Sequence, residues 1–317
     1  MEETFPAHIP VIEHAKLKNY TTFQLGGACR SLFECAKPED LIETVSYLAE
    51  AGLPFILIGG GSNIVVSDKG VDCHVVRYFS KEPLINREGH KITVSGSTRL
   101  DDLVQYAAAQ GLAGINYASG IPGTVGGAVL GNAGAFGKQI GDVLLEATLL
   151  TKDGLLKTVR QQDLGFSYRH SNLKESDDII LSVKIFLQEG DKDALQKERL
   201  EILKTREEKH PDLKTQPCAG SFFRNIEPTS AAGKRQATGF FLEQAGGKAL
   251  SHGGAKIFEK HANIIIKGKD ANAQDVFELQ KKMAQLAKEK CQLDLVREVR
   301  FVGDFAGKPE DVTSVIW

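Results

Sequence analysis

The chain has 317 residues, is 42% hydrophobic and 25% charged, and carries a formal net charge of -2. That size and composition suit two globular domains with buried cores, and the near-neutral balance gives general nucleic-acid binding no electrostatic support. No apolar run approaches the roughly 20 residues that span a bilayer, and the opening MEETFPAHIPVIEHAKL lacks the basic head and apolar stretch of a secretion signal, so neither a membrane partner nor export is expected.

In chain order, PEDLIETVSYLAEA at 38–51 places Leu41, Ile42, Val45, Leu48 and Ala49 at helical spacing, with Pro38 and two acids at its start. GLPFILI at 52–58 reads as a buried strand, and CHVVRYF at 73–79 and KITVSGS at 91–97 as further strands. RLDDLVQYAAAQ at 99–110 predicts a second helix, stopped by Gly111. Residues 111–141 are rich in glycine, and strands are expected at 144–151, 155–160 and 178–188. The charged stretch 189–214 predicts a solvated helix with a connector, and the main domain boundary is expected there. Beyond it come strands at 220–226 and 261–268, a helix from Asn272 to Lys290 whose Val276, Leu279, Met283 and Leu286 step by three and four, and a last strand at 295–303. The pattern is α+β. The cysteines Cys29, Cys35, Cys73, Cys218 and Cys291 are odd in number and form no C-x-x-C pair, so a disulfide framework and a metal site are not expected, and reduced thiols in a cytoplasm are.

FILIGGGSNIVV at 55–66 sets three glycines between two segments that read as buried strands. Such a turn serves either as a tight connection or as a nest whose main-chain amides point at one anion, with Ser62 and Asn63 as added donors. SGIPGTVGGA at 119–128 and GNAGAFG at 131–137 form a second glycine-rich region, with Ser119 and Thr124 as hydroxyl donors. A single account covers both: two loops facing one polyphosphate, such as the pyrophosphate of a dinucleotide. Neither G-x-x-x-x-G-K-[ST] nor the G-x-G-x-x-G of a Rossmann turn fits these segments, so the cradle is of another kind.

Seven segments in order carry a resemblance: NYTTFQLGGACR at 19–30, ILIGGGSNIVVSDKG at 56–70, SGIPGTVGGAVLGNAGAFG at 119–137, FSYRHS at 166–171, CAGSFFRN at 218–225, KHANIII at 260–266 and REVRFVG at 297–303. Together they resemble the UDP-N-acetylenolpyruvoylglucosamine reductase family, and the resemblance spans about residues 19 to 303. It implies an α+β fold: an FAD-binding domain of the vanillyl-alcohol oxidase type over 1–190, a helical connector over 191–214, a smaller α+β substrate-binding domain over 215–303, and a tail over 304–317. FAD is expected on Gly59, Gly60, Gly61, Ser62 and Asn63 of the first loop, and on Ser119, Gly120, Ile121, Gly123, Thr124, Gly126, Gly127 and Ala128 of the second. Some relatives in the wider group attach flavin covalently through a histidine beside the glycine turn. Ser62 and Asn63 stand there instead, which implies dissociable FAD. The chain resembles the shorter type of reductase, without the tyrosine-bearing loop that covers the substrate in others.

The implied reaction takes hydride from NADPH to FAD and then to C3 of a UDP-sugar enolpyruvyl ether, in peptidoglycan synthesis, by a cytoplasmic monomer. Negative charge then gathers at C2 and the adjacent carboxylate, which calls for an electrophile and a proton donor. By resemblance Arg169 binds the carboxylate with its planar, permanently charged fork, Ser221 protonates C2, and Glu298 completes the group; each residue is otherwise ordinary, as an ion-paired arginine, a turn serine and a salt-bridged glutamate. Strand alternation puts Val296, Glu298 and Arg300 on one face. Burial would raise the pKa of Glu298. Asn225 resembles the family's substrate-binding asparagine, and Arg224 stands where lysine is usual. His261 and Asn263 are expected to shape the substrate pocket, with a structural role the alternative for His261. Tyr168 packs on flavin or substrate, or else in the core. A flavin oxidase and a decayed flavin-binding protein are the competing readings. The absent histidine speaks against the first, and the joint presence of Arg169, Ser221 and Glu298 against the second.

Overall fold

The computed structural model describes residues 8–152, 154–228 and 234–307; the expected tail is therefore described only as far as Gly307. The first sheet has the strand order Val11–Glu13, Ser31–Cys35, His74–Tyr78, Phe55–Ile58, and its last three strands run parallel. Helix α1 (Pro38–Glu50) connects Ser31–Cys35 to Phe55–Ile58, as parallel strands require a crossover. The Asp40 carboxylate accepts the Lys37 N–H at 3.0 Å at the start of α1, and the helix buries Leu41, Thr44, Val45 and Leu48 along one stripe.

The second sheet is antiparallel, in the order Leu156–Arg160, Leu144–Leu150, Ile179–Phe186, Lys91–Ser95, Ile85–Glu88. Helices α2 (Leu100–Ala109) and α3 (Val125–Leu130) join α1 in one core with both sheets, through Leu103, Val104, Ala107 and Val129. The expected helix at 189–214 is α4 (Lys192–Lys209), and it is less solvated than its composition suggested: it packs on α2 and buries Leu195 and Arg199.

The third sheet is antiparallel, in the order Cys218–Ser221, His261–Lys267, Ala255–Phe258, Ser251–His252, and is accompanied by α5 (Thr238–Gln244) and α6 (Ala273–Cys291). Its core contains Phe222, Phe277, Phe301 and Phe305, but also Phe23, Leu25 and Val65 from the N-terminal half. The strand expected at 220–226 ends at Ser221, with isolated bridges at Phe223 and Ile226 beyond it. The strand expected at 295–303 is likewise interrupted. Arg297 makes an isolated bridge with Phe223, the Glu298 and Val299 N–H groups both reach the Phe222 carbonyl, and only Arg300–Val302 forms a ladder. That ladder is parallel to Ile64–Val66, the strand leaving the triple-glycine turn. Among the described residues no helix is long and apolar enough to cross a membrane.

Phe277 is 2% exposed and meets the Phe301 ring edge-on at 5.0 Å. Phe277→Ala is expected to lower the unfolding free energy by about 3–5 kcal/mol, the usual range for removing a buried aromatic ring. A urea midpoint close to the parent value would show that this cluster is not a packed core.

Candidate active site

The two glycine loops touch. The Ser62 hydroxyl donates to the Pro122 carbonyl at 3.1 Å, and a Cβ on Gly60 would stand 3.0 Å from the Gly123 Cα. A Cβ on Gly59 would come 2.5 Å from Thr124 Oγ1, and one on Gly61 would overlap the Tyr20 carbonyl. Several of these glycines therefore permit loop-on-loop packing, the blander of the two uses expected for such turns.

A cavity of about 790 Å³ lies beside the loops, within the usual range for small-molecule sites. Gly60, Ser62, Asn63, Gly123 and Thr124 line it, and their N–H groups make no hydrogen bond among the described residues. The other second-loop amides are used internally: Gly120 N–H by the Asp101 carboxylate, Gly126 N–H by the Gly96 carbonyl, Gly127 N–H by Thr124 Oγ1. A smaller cavity of about 420 Å³ adjoins the same loops, sharing Thr22, Gly60 and Gly120 to Gly123, and adds Arg77 and Arg99. Unpaired main-chain donors against bare glycine walls suit a diphosphate, so the chain fits the cofactor its sequence implies. Gly59, Gly61, Ser119 and Gly126 stand behind this surface rather than on it, and the Ser119 hydroxyl donates to the Asn116 carbonyl. The Asn63 side chain, expected as a donor to the ligand, instead donates to the Glu298 carbonyl at 3.1 Å.

Arg169, Ser221 and Glu298 line the same cavity. Arg169 Nε lies 2.9 Å from Glu298 Oε1, and both side chains remain about a quarter exposed, at 24% and 23%. Arg169 Nη2 also donates to the Gly134 carbonyl at 2.8 Å. Burial pushes the Glu298 carboxyl above the ordinary carboxylate range, against the pull of Arg169, Lys174 and Arg224. The Ser221 hydroxyl has no partner among the described residues, and Gly220 beside it lies at φ +76°, with open space where a Cβ would be.

The remaining expected residues do not line the cavity. Asn263 is buried, and its amide brackets the Phe223 backbone, accepting at 3.0 Å and donating at 2.8 Å. His261 stacks on His210 with ring centroids 6.0 Å apart; His210 is the one on the cavity wall, and burial, then Arg206, lowers its pKa to about 4. Tyr168 Oη accepts the Asn225 N–H at 3.2 Å, and its ring lies 4.0 Å from the Arg235 guanidinium carbon. The Arg224 Nε is buried without a partner among the described residues.

Sequence reasoning passed over Lys174, Arg300, Phe136 and the end of α4, where Arg206, Glu207 and His210 line the cavity. Arg300 shares the Glu298 face, and Lys174 follows Arg169 by five residues, so both signals were present. The α4 contribution had none, because a charged helix reads as solvated. Its anchor is Arg199, whose two terminal nitrogens meet the Asp101 carboxylate at 2.6 and 2.8 Å, while Asp101 holds the Gly120 N–H at 2.7 Å.

Burial raises the Asp101 pKa, but Arg199, the Gly120 amide and Arg99 outweigh it, leaving the carboxyl below its ordinary range. Its stabilising contribution is therefore present above the unfolded pKa and lost as pH falls through the folded value. Arg199→Met is expected to cost about 1–2 kcal/mol, discounted because a third of Asp101 remains wet. Urea midpoints measured from about pH 7 to about pH 3 should fall more steeply in the parent than in the variant; parallel curves would remove the clamp.

The chain matches two family models, "FAD binding domain" over residues 30–160 and "UDP-N-acetylenolpyruvoylglucosamine reductase, C-terminal domain" over 211–302. It is 35% identical over 288 residues to the UDP-N-acetylenolpyruvoylglucosamine reductase of Caldanaerobacter subterraneus, covering 91% of this chain and 92% of that protein. The Enterococcus faecalis protein of the same name is 35% identical over 296 residues, covering 93% and 95%. The crystal structure of UDP-N-acetylenolpyruvylglucosamine reductase from Thermus caldophilus aligns with a TM-score of 0.75 at 30% identity, over 93% of this chain and 99% of that one. The chain therefore belongs to the UDP-N-acetylenolpyruvoylglucosamine reductase family of oxidoreductases, with an α+β fold in which an FAD-binding domain of the vanillyl-alcohol oxidase type is followed by that family's C-terminal domain.

Proposed function

We propose that this chain reduces UDP-N-acetylglucosamine enolpyruvate to UDP-N-acetylmuramate, with FAD held non-covalently and NADPH as reductant. The observation that carries the reading is one cavity wall bearing both the unpaired glycine-loop amides and the group Arg169, Ser221 and Glu298. The amides of Gly60, Ser62, Asn63, Gly123 and Thr124 would hold the FAD diphosphate. When bound, FAD supplies the hydride chemistry, and the protein supplies position and electrostatics.

Arg169 receives the enolpyruvyl carboxylate. As negative charge grows over C2 and that carboxylate, the fixed guanidinium stabilises it without reorganising. Glu298 holds the Nε side of the fork and the Gly134 carbonyl takes one Nη2 proton, which leaves the Nη1 donors for substrate. Ser221, whose hydroxyl is uncommitted, gives its proton to C2. His261 and Asn263 support the pocket from behind, through His210 and Phe223, while Tyr168, Arg224 and Asn225, which stand off the cavity lining, are assigned to the substrate side by the family resemblance alone. The domain limits 1–190, 191–214 and 215–303, monomeric operation in a cytoplasm, and the use of NADPH are parts of the same reading and derive from the family resemblance.

Two experiments test this. Denaturing the purified protein should release yellow flavin into the supernatant; colour retained in the precipitate would mean a covalent link. Ser221→Ala should still allow NADPH to bleach the flavin, but should slow reoxidation by the enolpyruvyl sugar nucleotide by about 10²-fold or more, the span of a general acid's contribution. Equal loss in both half-reactions would make Ser221 structural.

A further inference from the structure

Arg169 occupies an awkward place in the backbone. Ser167 and His170 exchange both main-chain hydrogen bonds at 3.1 Å, closing a tight turn whose central residues are Tyr168 and Arg169. Arg169 lies at φ +57°, the third position of a turn that favours glycine or asparagine. Its guanidinium end is fixed by Glu298 and the Gly134 carbonyl. Its main-chain end is fixed by one side chain: Lys174 Nζ donates to the Arg169 carbonyl at 2.7 Å.

Lys174 is itself well placed. It lies in the single 3-10 turn Asn172–Glu175, anchored by buried Leu173 and by the Ser171 hydroxyl, which donates to the Leu130 carbonyl at the end of α3 at 2.7 Å. It also lines the cavity. We propose that Lys174 is a positioning residue for Arg169: its ammonium grips the Arg169 carbonyl, holds the left-handed turn closed and keeps the guanidinium aimed at the substrate carboxylate. The proposal rests on the reading of Arg169 as the carboxylate-binding group.

The charges around Lys174 sharpen the consequence. Burial, then Arg224, Arg300 and Arg169, bring its pKa down to about 8, with Glu298 opposing them. Below that pH the bond to the carbonyl is charge-assisted; above it a neutral amine makes a weaker one.

The test uses holoenzyme reduced with NADPH and mixed with the enolpyruvyl sugar nucleotide, following recovery of flavin absorbance. Lys174→Met should slow this reoxidation by roughly 10- to 100-fold, the scale of a small misplacement of a catalytic group. Lys174→Arg should restore most of the rate and move the alkaline fall in kcat/KM, expected in the parent near the Lys174 pKa of about 8, to higher pH. The double variant Arg169→Lys with Lys174→Met should be no slower than Arg169→Lys alone, because one residue acts through the other. Normal reoxidation in Lys174→Met beside a slow Arg169→Lys overturns the positioning role and leaves the function standing, as does a multiplicative loss in the double variant. Normal turnover in Arg169→Lys overturns both. Should Lys174→Met not fold, an unshifted alkaline limb in Lys174→Arg is the overturning result.

Discussion

The ladder pairing Arg300 with Ile64, Phe301 with Val65 and Val302 with Val66 ties the end of the described chain to the strand that leaves the triple-glycine turn. The Arg300 N–H donates to the Asn63 carbonyl at 3.0 Å, and the Asn63 side chain donates to the Glu298 carbonyl. A residue 235 positions away is thereby fixed against the glycine turn. Phe23, Leu25 and Val65 lie in the same core as Phe301, so apolar burial reinforces the ladder. Without this join, Glu298 and Arg300 would not line the cavity that the loops open onto.

Glycine has two uses here, and they are mechanically linked. Gly59 and Gly61 let the first loop lie against Thr124 and Tyr20. That contact holds the exposed amides of Gly60, Ser62 and Asn63 beside those of Gly123 and Thr124, so packing and the donor surface are one arrangement. The clamp from α4 supports it from outside, since Asp101 joins Arg199 to the Gly120 amide. An ion pair with one well-buried partner is useful in such a place for geometry more than for net stability.

Around Glu298 the balance is cationic. Arg169, Lys174 and Arg224 face one carboxylate, and Arg300 acts on Lys174 beside them. Such a field suits a substrate carrying both a carboxylate and a diphosphate. Burial drives two opposed shifts in this cavity: it raises Glu298 against the pull of the cations, and together with like charges it lowers Lys174.

Local periodicity determined α1, α2 and α6 to within a residue or two, because each buries one stripe and carries its own start signal. Motif order was enough to identify the family, and Arg169, Ser221 and Glu298 were legible from it. Tertiary structure alone decided which side of each motif faces the cavity. Asn63 and Ser119 spend their side chains on backbone carbonyls, and Asn263 brackets Phe223, because a polar group taken from water must find a partner wherever the fold offers one. The interrupted strand at 295–302 and the buried face of α4 were hidden for a similar reason. Their hydrogen bonds and ion pairs lie with residues about 75 to 235 positions away, and no pattern within a segment records a partner that distant.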